Sequence, residues 1–308
     1  MFKMSETKEE SILSSVIHNA IEDSPDFSWK EFTSLIKDTK MNLQGLFQKS
    51  HLREISLEGF DFTNIVSVDS MFGDCWLLKH INLGSLDTCH TVCMSSMFSG
   101  CENLKELDLS SLDTSSVKTM SHMFFKCREL KDLNLEYMDT SNVEDMSYMF
   151  GNCHKLADIY FSEFDTSNVT NMKGMFFSAR SLHEIDLSKF DTSQVTSMAA
   201  MFSGCESLEE LDLSSFNTFR VENMESMFYK CENLRRLDIS SFRSNLPVCT
   251  LGFSSCVNLT EVVVSSNCPT FVLDELKEAR KDSVKIIFKD RKEDNKVIKG
   301  SFGTTSLF

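Results

Sequence analysis

The sequence has no run of 18 apolar residues, so it predicts no membrane-spanning helix. Residues 1–23 contain neither the long apolar core nor the cleavage signature of a secretory signal peptide. We therefore expect a soluble chain. It is either cytoplasmic or exported by a route that uses no cleavable signal peptide.

Positive charge is scarce. The chain has 31 lysines and arginines against 46 aspartates and glutamates, which gives a net charge of −15. Such a chain repels the phosphates of a nucleic acid, and an anionic membrane surface repels it in the same way. A protein partner with a basic surface is compatible with this charge, although net charge also serves solubility.

The motifs of common enzymes are also missing. The sequence has no G-x-S-x-G, no Walker loop, no H-E-x-x-H and no paired Cys-x-x-Cys. We therefore predict a non-catalytic protein with no cofactor and no metal site. The alternative is an enzyme whose activity lies in a terminal segment, 1–50 or 266–308.

One 26-residue repeat occupies most of the chain, and the dipeptide Met-Phe marks each copy. The dipeptide begins at Met71, Met97, Met123, Met149, Met175, Met201 and Met227. A cysteine follows three residues after the phenylalanine in every copy except one, where Ala179 replaces it. A fixed period of this length indicates one structural unit stacked on copies of itself, which builds an extended surface instead of an enclosed pocket.

Residues 128–153 illustrate what each repeat predicts. Leu130, Leu133 and Leu135 follow the L-x-x-L-x-L pattern of a leucine-rich-repeat strand, and an Asp-Thr-Ser turn comes next. Apolar residues at 143, 146, 149, 150 and 153 then recur at the spacing of one helix face. We predict an α/β fold, a right-handed leucine-rich-repeat solenoid of about 8–9 coils with a parallel concave sheet, short convex helices and a cap at each end.

The longest run shared by the copies is L-D-L-S-x-F-D-T-S-x-V-x-x-M-x-x-M-F-x-x-C, nearly complete as IDLSKFDTSQVTSMAAMFSGC at residues 185–205. This run resembles the repeat of the BspA-like leucine-rich-repeat family. The resemblance implies a non-catalytic binding surface, often for host or matrix proteins, and an exported surface adhesin is therefore an alternative function. The buried asparagine of typical leucine-rich repeats is absent, so we expect Asp and Thr side chains to bond the backbone of the turn.

The repeat also divides the chain. We predict a helical N-terminal cap at 1–50, the solenoid at 51–265, a C-terminal cap at 266–290 and a flexible tail at 291–308. Within the C-terminal cap, Pro269 marks a helix start, the helix extends to about residue 280, and a strand covers 284–288. A cap covers the apolar end of a solenoid, which would otherwise be exposed.

The recurring cysteines and methionines are predicted to lie in the core. Seven of the 11 cysteines occupy one repeat position, where alanine can replace them, as expected for a small buried apolar site. We therefore expect reduced thiols instead of disulfides. The methionines share the same predicted helix face and are expected to pack beside them.

The residues that alternate with the buried strand leucines are expected to line the concave face. Acidic residues are frequent among them, and we call this predicted site the acidic strip: Asp108, Asp132, Asp158, Tyr160, Glu184, Asp186, Glu210, Asp212 and Asp238. The leading hypothesis is a binding scaffold or effector whose strip docks a basic protein segment. An equally weighted interpretation is that duplication copied Asp into a solvated face, and calcium along the strip is a weaker alternative because no EF-hand loop is present.

Overall fold

The computed structural model describes residues 41–290 except 59–64, 85, 162–163, 244–245, 247 and 281–282. The helices predicted within residues 1–40 and the tail predicted at 291–308 lie outside the described residues. The described chain winds as a parallel β-solenoid of about eight coils, so the predicted solenoid is confirmed.

Short strands recur at the position that the leucine pattern predicts. In chain order the strands are β1 (Met41–Asn42), β2 (Glu54–Ser56), β3 (Ile65–Ser67), β4 (His80–Asn82), β5 (Asp132–Asn134), β6 (Asp158–Tyr160), β7 (Glu210–Asp212), β8 (Arg236–Asp238), β9 (Glu261–Val264) and β10 (Lys285–Phe288). The pairs are β2 with β4, β5 with β6, and β7 through β10 in sequence, all of them parallel. We call this side of the coils the strand side.

A second ladder runs along another side of the coils, which we call the turn side. It starts with the pairing of β1 with β3 and continues as single bridged residues: Ser67, Cys93, Thr119, Asp145, Asn171, Ser197 and Asn223. Beyond each bridge, alternate N–H groups donate to carbonyls of the next coil. In one coil the donors are Met120, His122, Phe124 and Lys126, at N–O distances of 2.8–3.0 Å. Four backbone bonds thus join neighbouring coils on the turn side.

The short helices predicted for this part of the repeat are wrong, because the described coils have tight turns there. Met149 and Cys153 donate backbone N–H bonds to the carbonyls three residues before them. Tyr148 and Asn152 have φ angles of 54° and 59°, which a right-handed helix does not allow. Successive turns of this kind bring every third or fourth side chain inward, as a helix does, so apolar spacing alone cannot separate the two.

Residues 41–50 correct another part of the prediction, which placed them in a helical cap. They form the turn side of a first, incomplete coil: Leu43 donates to the Ser67 carbonyl and Phe47 to the Met71 carbonyl, at 2.9 and 2.8 Å. The sequence signal is degenerate, since Leu46-Phe47 stands where later coils have Met-Phe. Ser50 takes the place of the recurring cysteine, and its hydroxyl lies 3.3 Å from the Cys75 sulfur.

A stack of phenylalanine rings runs through the core of the described coils. Neighbouring rings lie nearly parallel, with centroids 5.3–6.3 Å apart, and the stack comprises Phe47, Phe72, Phe98, Phe124, Phe150, Phe176, Phe202, Phe228 and Phe253. The methionines and leucines of the repeat are buried around it, in one continuous core. Each buried ring contributes about 1.5–3 kcal/mol by leaving water, so the stack supplies much of the cohesion between coils.

Two buried polar side chains per repeat bond to neighbouring coils. The threonine of the Asp-Thr-Ser turn donates its hydroxyl to the carbonyl of the next coil, as Thr114 does to Asp139 and Thr140 does to Asp165, at 2.8 and 2.7 Å. The recurring cysteine donates its thiol to a phenylalanine carbonyl of the preceding coil, as Cys153 does to Phe124 at 3.0 Å. The threonines thus replace the missing asparagine, in agreement with the prediction that Asp-Thr-Ser side chains satisfy the turn.

The described chain ends in a helix, α1 (Thr270–Arg280), and in β10, where the sequence predicts a helix and a strand. The carboxylate of Glu275 in α1 accepts hydrogen bonds from the backbone N–H groups of residues 251–253, at 2.7–3.1 Å. These bonds hold α1 against the 3-10 turn Phe253–Ser255, which carries the last ring of the stack.

We predict that Thr140→Val destabilises the solenoid more than Thr140→Ser. The Thr140 hydroxyl donates to the Asp165 carbonyl and accepts from the Asp165 N–H, at 2.7 and 2.8 Å. Valine keeps the shape but leaves both backbone groups unpaired, at a cost of about 1–3 kcal/mol. Serine keeps the hydroxyl and loses about one methyl group of burial, roughly 0.8 kcal/mol. Urea unfolding of the two variants measures the difference, and equal midpoints would contradict the assigned role of the hydroxyl.

We also predict that a thiol reagent at neutral pH labels Cys89, Cys93 and Cys249 long before the other cysteines. All 11 thiols are free, and only these three are partly exposed. Burial raises the pKa of Cys153 and of Cys205 to about 12, so almost no reactive thiolate exists at those sites. Mass spectrometry of the native protein, with urea-unfolded protein as the fully labelled control, measures the order. Rapid native labelling of Cys153 would refute the burial.

Candidate functional site

Outward-pointing side chains of the strands form a continuous face, which we call the strand face. In β2, β4, β5, β6 and β7 the middle residue is turned inward, as Leu133 is in β5 and Leu211 in β7, and its two neighbours are exposed. This alternation follows from the two-residue period of a strand. Each coil therefore adds one residue to a first column and one to a second column of the face.

Every predicted strip residue except Asp238 is exposed in the structure. The first column holds Glu54, His80, Glu106, Asp132, Asp158, Glu184, Glu210, Arg236 and Glu261. The second column holds Ser56, Asn82, Asp108, Asn134, Tyr160, Asp186, Asp212, Asp238 and Val263. Asp238 is only 9% exposed, because the chain after β10 covers it and Lys289 Nζ lies 3.3 Å from its carboxylate.

A shallow groove of about 510 Å³ crosses the strand face and brings seven of the nine predicted residues together. Its polar rim consists of Asp158, Tyr160, Glu184, Asp186, Glu210, Asp212, Arg236 and Asp238. Ile159, Ile185 and Leu211 line its apolar floor. Asp108 and Asp132 lie outside the groove, nearer the N-terminal end of the face.

The groove coincides with an interruption of the sheet. Residues 184–186 are not paired as a strand, and no backbone hydrogen bond joins them to β6 within the described chain. At this level Phe161 stands where neighbouring coils have leucine, and its ring centroid lies 5.2 Å from those of Phe164 and Phe190. The larger side chain occupies space between the two coils. The sheet is interrupted a second time at residues 106–108. There the residue equivalent to Phe161 is Leu109, so a larger side chain does not explain the second interruption.

The second column has a local structural role. Asp186 accepts a hydrogen bond from the backbone N–H of Ser188 at 2.9 Å, and Asp108 accepts one from Ser110 at 2.9 Å. Asn82 and Asn134 make the same contact in their own coils, so this turn needs an acceptor oxygen and not a charge. Side-chain and backbone hydrogen bonds from Ser188 lower the pKa of Asp186, which therefore stays ionised at neutral pH.

The first column has no such role in the middle coils. Asp132, Asp158 and Glu184 form no ion pair and no side-chain hydrogen bond within the described residues. Asp132 and Asp158 are direct partners in the β5–β6 register, so two carboxylates stand side by side at one strand spacing. Like charges that face each other across strands destabilise a sheet. The fold gains nothing from these carboxylates, unlike those of the second column.

The C-terminal coils neutralise their own acidic residues. Arg236 extends between Glu210 and Glu261, with nitrogen–oxygen distances of 3.9 and 3.1 Å. Lys285 pairs with Glu261 at 3.4 Å, and Lys289 covers Asp238. The unpaired part of the acidic strip therefore ends at Arg236. Arg236 interrupts the first column in the sequence itself, whereas the pairing of Asp238 with Lys289 is not visible there, because Lys289 reaches the face from beyond the last strand.

No group of three or more His, Cys, Asp or Glu side chains in the described residues is arranged to hold a metal ion. No helix among those residues is long and apolar enough to cross a membrane.

The fold and the strand face define the chain as a leucine-rich, 26-residue-repeat β-solenoid. A family model described as "Mycoplasma protein of unknown function, DUF285" matches residues 41–162 and 155–250. These matches cover more than half of the sequence, so the chain belongs to this family. They begin at residue 41, the first residue that the structure describes. No curated protein matches the chain.

Several solved structures are similar to the chain at low sequence identity. A chain of the mouse RP105/MD-1 complex is 15% identical, with a TM-score of 0.31. The match covers 82% of this chain and 45% of that one. A leucine-rich repeat protein from Eubacterium ventriosum is 13% identical with a TM-score of 0.30, over 79% and 74%. The TLR13–ssRNA13 complex is 14% identical with a TM-score of 0.20, over 77% and 47%. The chain thus spans less than half the length of the matched chains in the RP105/MD-1 and TLR13 complexes. TM-scores this low carry no argument about function.

We predict that Asp186→Asn leaves stability unchanged, whereas Asp186→Ala lowers it by about 0.5–1.5 kcal/mol. Asparagine keeps the oxygen that accepts the Ser188 N–H, as Asn82 and Asn134 do in their coils. Alanine removes that oxygen. Thermal unfolding of both variants tests the assignment, and equal losses in the two would show that the charge, and not the turn, stabilises this position.

Proposed function

We propose that this chain is a non-catalytic protein-interaction module whose strand face binds a cationic segment of a partner protein. The observation that carries the proposal is the unpaired pair of carboxylates Asp158 and Glu184 on the rim of the groove. Their charges serve no turn and no ion pair within the described chain. A groove with an apolar floor and an acidic rim matches a segment that alternates apolar and basic side chains.

Electrostatic repulsion within the strip supports the same partner. Carboxylates on paired strands of adjacent coils, such as Asp132 and Asp158, are separated by about one strand spacing, roughly 4.8 Å. Each such pair costs roughly 1 kcal/mol in a water-like dielectric. A partner ammonium or guanidinium group placed between two of them removes that repulsion, so part of the binding free energy is already present as strain in the free protein.

Arg236 provides an internal example of the proposed contact. Its guanidinium lies over the strand face between the carboxylates of Glu210 and Glu261, which belong to the coils on either side of its own. A partner arginine could likewise approach two carboxylates at once, those of Asp158 and Glu184 on adjacent coils of the groove. Tyr160, 57% exposed at the end of the groove, adds an aromatic ring of the kind that anchors interfaces.

We expect the double variant Asp158→Asn with Glu184→Gln to bind a basic probe about tenfold more weakly than the wild type, since each exposed ion pair contributes up to about 1 kcal/mol. The probe is a fluorescein-labelled peptide of sequence RLRLR, measured by fluorescence anisotropy at low and at physiological salt. The matched control is Glu222→Gln with Glu225→Gln, because both residues are exposed near the turn-side ladder and the net charge changes by the same amount.

The comparison between the two double variants decides the outcome. Weaker peptide binding by the groove variant alone supports the proposal, provided that binding to the wild type also weakens as the salt concentration rises. Equal loss in both variants would mean that the peptide responds only to net charge. Unchanged binding in the groove variant would exclude this groove as the docking site.

A further inference from the structure

A cluster of aromatic side chains lies on the turn side, away from the groove. It consists of His122, Phe125, Tyr148 and Phe177, all half-buried, and we call it the aromatic patch. The His122 and Tyr148 rings stack with centroids 5.0 Å apart, while Phe125 and Phe177 meet Tyr148 edge to face at 6.1 and 6.0 Å. The patch spans three coils and leaves ring surface open to solvent.

The backbone under the patch gives the same turn in every coil, so the fold does not require these rings. His122 and Tyr148 adopt φ angles of 58° and 54°, a left-handed conformation that is uncommon for bulky residues. The equivalent residues in other coils are small: Ser70, Ser96, Gly174, Ala200 and Ser226, with φ of 53–59°. Aromatic side chains at two of these positions add strain, and strained residues concentrate at functional surfaces.

Two glycines make room for the rings. A Cβ atom on Gly174 would lie 2.3 Å from the Tyr148 ring, and one on Gly151 would lie 2.9 Å from the Phe125 ring. Each ring therefore lies directly over the backbone of the following coil. The rings of Tyr148 and Phe125 are thus complementary in shape to the glycines of the following coil, Gly174 and Gly151.

The rim of the patch is positively charged. The ammonium groups of Lys126 and Lys173 lie 5.5 and 5.8 Å from the ring centroids of Phe125 and Tyr148. Neither lysine has a carboxylate partner within the described residues. Asp145 is the acidic residue that acts on His122, and its carboxylate already accepts the Ser147 N–H at 2.8 Å. Burial lowers the pKa of His122, so the lysines supply the charge at neutral pH.

We propose that the aromatic patch binds an acidic protein segment in which an apolar side chain is flanked by carboxylates. The apolar side chain would pack on the exposed faces of Tyr148 and Phe177, and the carboxylates would pair with Lys126 and Lys173. This surface is distinct in place and in charge from the groove on the strand face. A nucleic acid could also stack on such rings, but its phosphates would meet a chain of net charge −15, whereas a short segment carries few charges.

The test uses substitutions that other coils already contain. In the variant His122→Ser with Phe125→Ser and Tyr148→Ser, each position receives the residue found at Ser96, Ser99 or Ser226 in equivalent turns, so folding is expected to persist. The control is Tyr229→Ser, which removes an exposed ring that contacts no other ring within the described residues and has the Lys230 ammonium 5.6 Å from its centroid. A further variant, Lys126→Gln with Lys173→Gln, removes only the charge.

Labelled peptides EEFEE, EEAEE and KKFKK, and a short single-stranded DNA, serve as probes in fluorescence anisotropy. We expect EEFEE to bind best, and to lose about tenfold or more in affinity in the triple serine variant and less in the lysine variant. Binding to the Tyr229→Ser control should be unchanged. Circular dichroism and thermal unfolding confirm that the serine variants are folded.

Each remaining outcome contradicts the proposal. No EEFEE binding, or binding that survives the triple substitution, would exclude the patch as its site. Tighter binding of the DNA than of EEFEE would assign the patch to nucleic acid. Sedimentation that shows dimers in the wild type and monomers in the triple variant would assign it to contact between two copies. The groove double variant leaves the aromatic patch intact, and the triple serine variant leaves the groove intact. Binding of EEFEE therefore tests the patch alone, and binding of RLRLR tests the proposed function alone.

Discussion

The stacking of phenylalanine rings from coil to coil is the contact on which the other features of this solenoid depend. Each ring finds its partner only if the next ring arrives 25 or 26 residues later at the same place, and four backbone hydrogen bonds on the turn side keep that register. The thiols and threonine hydroxyls then bond to backbone groups that the close approach of coils would otherwise leave unpaired. Cohesion is therefore local to each pair of neighbouring coils.

Because the interior is set by these few residue types, the outward positions are free to vary without loss of the fold. Asparagine and aspartate serve the same turn at 82, 134 and 186, and serine, alanine or tyrosine occupies the same left-handed position on the turn side. A functional residue in such a chain is therefore recognised as a departure that the interior does not explain. The ring of Tyr148 is a departure of this kind, whereas the carboxylates of Asp158 and Glu184 follow their column but are explained by neither the interior nor a turn.

Much of this architecture is visible in the sequence. The period, the buried leucine, methionine, phenylalanine and cysteine positions and the outward columns all follow from spacing, since stacking forces equivalent residues into equivalent places. The same spacing predicts helices where the structure has turns, because both present apolar residues at intervals of three and four. The groove and the aromatic patch could not be found this way. They depend on Phe161, Gly151 and Gly174, whose effects appear only when neighbouring coils are stacked.

The break in the strand-side sheet at residues 184–186 has a mechanical consequence. On the turn side the same two coils remain joined by backbone hydrogen bonds and by the Phe176–Phe202 contact, at a centroid distance of 5.6 Å. One edge of the coil boundary is thus joined by backbone hydrogen bonds, while the opposite edge is held, within the described residues, only through side chains such as Phe161 and Phe190, which is the arrangement of a hinge. Bending about it would widen or narrow the mouth of the groove while the interior stays closed, so the width available to a guest need not be fixed.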